Sequence, residues 1–284
     1  MATTKKAETK KKTQPAQAKS KKPAPAKKAA KRAESKLSRS VKPAESKATK
    51  PRKAASADEG FLGFLDDGKF WKALAKNQNR EWFAKHKTEF EDGWNKPMKA
   101  LLQDVHASID AAYQHCDLDA PKVFRIFRDV RFSKDKSPYK THIAGMIPVK
   151  RNANVMETPV ALYFHVGEET TVASGLYMMD GPVLARYRAA IVDDARGKEL
   201  IRILGKLEQA GFGTGSMHHD VLKKVPKGFD PEHPRAELLK RKGLGVSFPA
   251  PPKALLTSPK LVGWLADHAK KAIPLVEWLV FATA

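Results

Sequence analysis

No aromatic side chain occurs before Phe61, and this fixes where a core can form. Residues 1–58 carry 19 Lys and Arg against 4 Asp and Glu, a net of +15, and their large aliphatic side chains are Leu37, Val41 and the initiator Met1. Ordering one residue costs roughly 1–2 kcal/mol of backbone entropy. A segment with so little apolar surface has nothing to offset that cost, so residues 1–58 are expected to be a disordered Lys/Ala/Pro-rich basic tail. All five Trp, all thirteen Phe and all five Tyr lie from residue 61 onward, and residues 59–284 carry 34 basic against 27 acidic side chains. Residues 59–284 are therefore expected to form a single domain with a sizeable core.

Cys116 is the one cysteine, which rules out an internal disulfide framework and a thiolate metal cluster. The N-terminal segment lacks the apolar stretch of a secretory signal, and its Lys-Pro-Ala composition differs from an Arg-rich amphipathic transit peptide, the competing reading. No run approaches 18 apolar residues, so no membrane insertion is expected. A cytoplasmic location is the expectation. Short units such as Lys21-Lys22-Pro23-Ala24-Pro25-Ala26-Lys27-Lys28 resemble in composition the tails of linker histones and bacterial nucleoid proteins, so nucleoid association is the finer expectation.

Elements read from periodicity. Phe64, Phe70, Trp71 and Leu74 suggest short helical pieces interrupted at Gly68, and Asn77 or Asn79 caps a helix through Trp82, Phe83 and Phe90. A helix opening at Pro97 carries Met98, Leu101, Leu102, Val105, Ile109 and Ala112 at spacings of three and four. Strands are predicted at 123–127, 143–149, 160–166, 171–178 and 244–248, with a turn at Gly167-Glu168-Glu169. Helices are predicted over 182–193 and 197–209, the latter with Leu200, Ile201, Leu204 and Leu207 on one face, and over 259–272 and 274–281, broken at Pro274. Strands clustered between helical runs indicate an α+β fold with a mostly antiparallel central sheet packed with helices.

Six cations fall within sixteen residues: Arg125, Arg128, Arg131, Lys134, Lys136 and Lys140, opposed by Asp129 and Asp135. Guanidinium forks and compact ammonium groups suit phosphate or carboxylate oxygens. One reading is an anion pocket, with Arg80 and Arg188 as further contributors. The other is a solvated loop whose Arg–Asp pairs brace a sheet edge, with Pro138 and Tyr139 fixing its shape. Arg188 shares a helix with Leu184, Tyr187 and Ile191; pointing inward, it needs an acidic partner or a ligand anion. The whole run from Arg125 to His142 resembles the signature of the family called domain of unknown function 2461. So do Asn77-Gln78-Asn79-Arg80-Glu81-Trp82-Phe83, the stretch from Leu184 to Ile191 with Arg188, and residues 226–234. The similarity spans about residues 69–281 in matching order, with Gln78 where a second Asn is usual. It implies a shared fold and no activity.

Asp135 and His142 are the candidates for proton transfer. His165, in an apolar run, reads as core or edge packing. His218-His219-Asp220 and Glu232-His233 lack helical ligand spacing, so no metal is expected. No phosphate-binding glycine loop, nucleophile elbow or dinucleotide fingerprint occurs, and no cofactor is expected. Three functions compete. The chain is a phosphate- or carboxylate-binding domain whose residues 1–58 attract polyanions such as DNA or RNA without sequence preference. Alternatively it is an enzyme acting on a phosphorylated or carboxylated small molecule, or a non-catalytic interaction scaffold.

Overall fold

A computed structural model describes residues 68–131, 134–151, 160–215 and 221–284. The basic segment 1–58, Phe64, Ser133 and the His218-His219-Asp220 triplet lie outside these.

The described chain begins with aromatic-rich helical turns. Gly68, in a left-handed conformation, precedes α1 (Lys69–Lys76), which buries Phe70, Trp71 and Leu74. Asn79 caps α2 (Arg80–Lys85) by accepting the Trp82 amide at 2.8 Å. Then α3 (Lys87–Phe90) and a single wide turn over Glu91–Asn95 lead into α4 (Lys96–Ile109). The single helix expected from Trp82 to Phe90 is thus two pieces meeting at His86. Phe70, Trp71, Phe90 and Trp94 form one aromatic cluster, Trp71 and Trp94 edge to face at 4.9 Å. The α4 stripe packs as its spacing requires: Met98, Leu101, Leu102, Val105 and Ile109 are all buried.

The described residues hold a seven-stranded sheet in which every pairing is antiparallel. Its strands are β1 (Asp117–Leu118), β2 (Lys122–Val123), β3 (His142–Lys150), β4 (Val160–Gly167), β5 (Thr170–Leu176), β6 (Gly213–Gly215) and β7 (Leu244–Ser247). The order is β1-β3-β4-β5-β7-β6, with β2 also on β3. Phe164 pairs with Gly145 and Val172, placing the buried even-numbered residues of β4 on the face toward α4, where a Cβ on Gly145 would overlap Leu102. The odd positions Tyr163 and His165 point to the opposite, half-exposed face.

The predicted strand 123–127 shortens to Lys122–Val123. Phe124 still donates to the Ala144 carbonyl, but the chain then leaves β3 and Phe127 bridges Tyr139 instead. The glycines at 213 and 215 lie in β6.

After β5 come α5 (Gly181–Val192), capped by Asp180, and α6 (Asp194–Gln209), capped by Asp193 and so starting three residues before Gly197. Leu200, Leu204 and Leu207 are buried, but Ile201 is 49% exposed: one position on from Leu200, it has turned outward. Beyond α7 (Ala236–Leu239) and α8 (Lys253–Leu256), residues Lys260–Thr283 form one helix, α9, with Pro274 inside it. The expected break does not occur. Leu265, Ala269, Ala272, Leu275, Val276 and Leu279 make a continuous buried stripe across Pro274, and packing that stripe against β4, β5 and α4 outweighs one lost backbone hydrogen bond. No described helix is long and apolar enough to cross a membrane.

Candidate functional site

The cationic run forms a wide hairpin beside β3. Its neck is closed by backbone bonds from Arg128 N–H to the Pro138 carbonyl (2.9 Å) and from Lys140 N–H to the Ile126 carbonyl (2.8 Å). Tyr139, 2% exposed, stacks on Phe83 at 4.5 Å and lies 5.5 Å from Phe127. Its amide donates to the side-chain oxygen of Gln78 at 3.0 Å. The Asn77–Phe83 segment therefore supports the hairpin from beneath. Asn77 itself donates to the Ala73 carbonyl, and Trp82, half-buried rather than fully in the core, stacks on His86.

Inside the hairpin, several charges hold one another. Asp129 accepts Arg131 Nε at 3.0 Å and Nη2 at 2.7 Å, and this fork holds its carboxyl down at about 2. Asp135 accepts both the Ser137 hydroxyl (2.6 Å) and amide (2.9 Å), and Arg128 reaches it at 2.9 Å. These bonds hold its carboxyl below the usual range, Ser137 first and Arg128 last, so it is ionised near neutrality and has no proton to give. Lys136 donates to the Val130 carbonyl at 2.8 Å. The bracing role expected of the Arg–Asp pairs thus accounts for Arg131 and Lys136 and part of Arg128.

The remaining cations converge at the neck. Lys140 is half-buried, its ammonium 5.6 Å from the centre of the Phe124 ring. Burial first, then repulsion from Arg125 and Arg128, holds it below the ordinary lysine range. Arg128 keeps a buried Nε without a hydrogen-bond acceptor. Next along the chain, His142 stacks on His165 of β4 at 4.0 Å. Burial, followed by His165, Lys140 and Arg128, drives the His142 imidazole down to about 4, so it is neutral at pH 7. His165 is also held down by burial, and lies 3.4 Å from the Tyr163 hydroxyl.

Other candidates lie apart. Lys134 is exposed on the hairpin. Arg80 opens α2 on the surface and makes no bond to the hairpin among the described residues. Arg188 donates from Nε to the Leu239 carbonyl at 3.1 Å, with no described carboxylate at salt-bridge distance. Leu239 leads into β7, three strand positions from β3 and so about 14 Å across the sheet. Near Arg188 stand two arginines the sequence did not single out. Arg235, 8% exposed, donates to the Ile191 and Val192 carbonyls, and Arg241 has a buried Nη1 without an acceptor. No spacing rule marks Arg235, because the groups it meets, the Ile191 and Val192 carbonyls and Asp194 at 3.7 Å, are some forty residues away. His233 accepts the Arg235 amide at 3.0 Å, and no described group of three His, Cys, Asp or Glu is placed to hold a metal.

The family described as "Conserved hypothetical protein (DUF2461)" matches residues 68–278, and the chain belongs to it. No curated protein and no solved structure matches the chain.

Proposed function

We propose that this family member binds a phosphate or carboxylate group at Arg125, Arg128 and Lys140, beside His142, and that residues 1–58 add a sequence-independent attraction to nucleic acid. The observation that supports the first half is Lys140. A half-buried ammonium repelled by two guanidiniums lacks a counter-charge of its own, since Asp135 and Asp129 are taken up by Ser137, Arg128 and Arg131. An anion seated there relieves that repulsion and meets the free Nε of Arg128. The second half rests on +15 within 58 residues.

His142 is a local reporter for the first half. Inorganic phosphate titrated into the full chain is expected to raise the His142 pKa from about 4, read by NMR of the ring protons. Arg125→Ala with Lys140→Ala should weaken that response at least tenfold. A His142 resonance indifferent to phosphate at every pH rules the site out. For the tail, duplex DNA binding is compared in the full chain and after removal of residues 1–58. Six to ten phosphate contacts lose roughly 10³–10⁵ in affinity between 50 and 200 mM salt. Unchanged affinity after truncation ends that half.

A second reading is an enzyme acting on a phosphorylated or carboxylated small molecule. It is favoured by the placement of His142, neutral at pH 7, next to the cations; its low pKa makes it a weak base until a bound anion raises it. In that reading Asp135 positions Arg128 and Ser137 and transfers no proton.

A further inference from the structure

A recess lies along the seam between α6 and α9. The helices are tied there by Trp278 Nε1 donating to the Arg196 carbonyl at 3.0 Å. The recess has a volume of about 630 Å³. That is within the roughly 300–1,000 Å³ of small-molecule sites. Its α6 wall runs from Arg196 to Ala210, about 20 Å at 1.5 Å per residue, so it is elongated.

Its floor is apolar: Ile203, Leu207, Pro274, Trp278 and Phe281. Phe281 is 46% exposed, a large ring left open to water, with the Arg151 guanidinium 5.7 Å from its centre. The walls are cationic, Arg196, Arg202, Lys206 and Lys271 against Glu199 and Glu277. Of the α6 cations, Lys198, outside the recess, is neutralised by Asp194 at 2.7 Å, and Arg196, at one end of the wall, by Asp193 at 3.5 Å. Arg202, Lys206 and Lys271 have no carboxylate at salt-bridge distance among the described residues.

We infer that this recess binds a small amphipathic monoanion, a medium-chain carboxylate being the simplest of the class. The apolar floor removes a hydrocarbon chain from water, at about 0.8 kcal/mol per buried methylene. The unneutralised cations of α6 and α9 hold the head group. Glu199 and Glu277 repel a second negative charge, which selects a monoanion over a phosphate dianion. The inference is independent of the Arg125–Lys140 site, with which the recess shares no lining residue.

Dodecanoate is titrated calorimetrically into the full-length chain below its micelle concentration. One saturable site per chain is expected, with a change in tryptophan emission that is lost in Trp278→Phe. Arg202→Glu with Lys206→Glu, which leaves the basic tail intact, should weaken binding at least tenfold. Ala210→Trp, at an exposed position on the recess wall, should do the same by filling it. Arg125→Ala should bind as the wild type does, and excess inorganic phosphate should not compete. Circular dichroism establishes that each variant is folded, and Ala210→Trp decides if the charge reversal is not. Absence of saturable heat, or equal binding by wild type and Ala210→Trp, overturns the inference.

Discussion

The His142 imidazole links the cationic site to the stability of the fold. It faces His165 at 4.0 Å, with Lys140 and Arg128 close enough to repel a proton, and its pKa falls from an ordinary 6.5 to about 4. The fold therefore prefers the neutral ring. Above pH 6.5 both folded and unfolded chains carry it neutral, and the contribution is fully present. Between 6.5 and about 4 the unfolded chain takes up a proton that the folded chain refuses, so stability falls with pH. Below about 4 both are protonated and the loss stops. A shift of that size on a fully buried ring corresponds to roughly 3 kcal/mol at 1.36 kcal/mol per pH unit; with water reaching part of the ring, about 1–2 kcal/mol is expected. Urea unfolding of wild type and His142→Gln at pH 7.5, 5.5 and 4.5 measures it. The stability difference between the two should move by that amount in favour of the variant as pH falls. His165, depressed by burial, adds a slope of its own in both proteins. The depressed carboxylates Asp129 and Asp135 do not intrude, because their contributions are lost only below about pH 4. Parallel pH profiles for wild type and His142→Gln would refute the reasoning.

Two further substitutions probe the frame. At Gly175 the backbone has φ 144°, and a Cβ would overlap the Gly245 Cα and the Leu244 carbonyl of the neighbouring strand, so Gly175→Ala should cost at least about 3 kcal/mol in chemical unfolding; a loss under 1 kcal/mol contradicts that strand spacing. Pro274→Ala should stabilise by about 2 kcal/mol, since an interior proline costs about 3 kcal/mol against alanine and returns about 0.4–1 by stiffening the unfolded chain. A destabilised variant would mean the ring is needed where it packs.

What the sequence makes legible is what local period controls. The α4 stripe from Met98 to Ile109 and the strand at 160–166 are both present as read, because an apolar stripe and a short apolar run have few places to go but a core. The Asp129–Arg131 fork spans two residues and was likewise readable as loop bracing. What fails is whatever depends on a distant partner. Pro274 obeys its local rule less than it obeys the stripe on either side of it. Gln78, a side-chain amide with little to distinguish it, supports Tyr139, 61 residues away. The stack of His142 on His165 exists only once β3 and β4 are paired in register. The recess between α6 and α9 needs two helices about sixty residues apart in sequence to lie side by side.

The cationic hairpin shows why counting charges does not by itself locate a site. Six cations in sixteen residues suggest one large positive pocket. Half of them, however, are needed to hold the loop that carries them: Arg131 on Asp129, Lys136 on the Val130 carbonyl, and one arm of Arg128 on Asp135. Exposed pairs of this kind contribute little to stability. Their effect is geometric, since they keep two aspartates away from Lys140. With those counter-charges drawn off along the loop, the neck is left with Arg125, the unbonded Nε of Arg128 and a half-buried Lys140 against a neutral imidazole. The physical measure of an anion site here is therefore positive charge that burial has made costly and that the protein's own carboxylates leave unanswered. By that measure the candidate contracts from the whole segment to the three side chains at its neck.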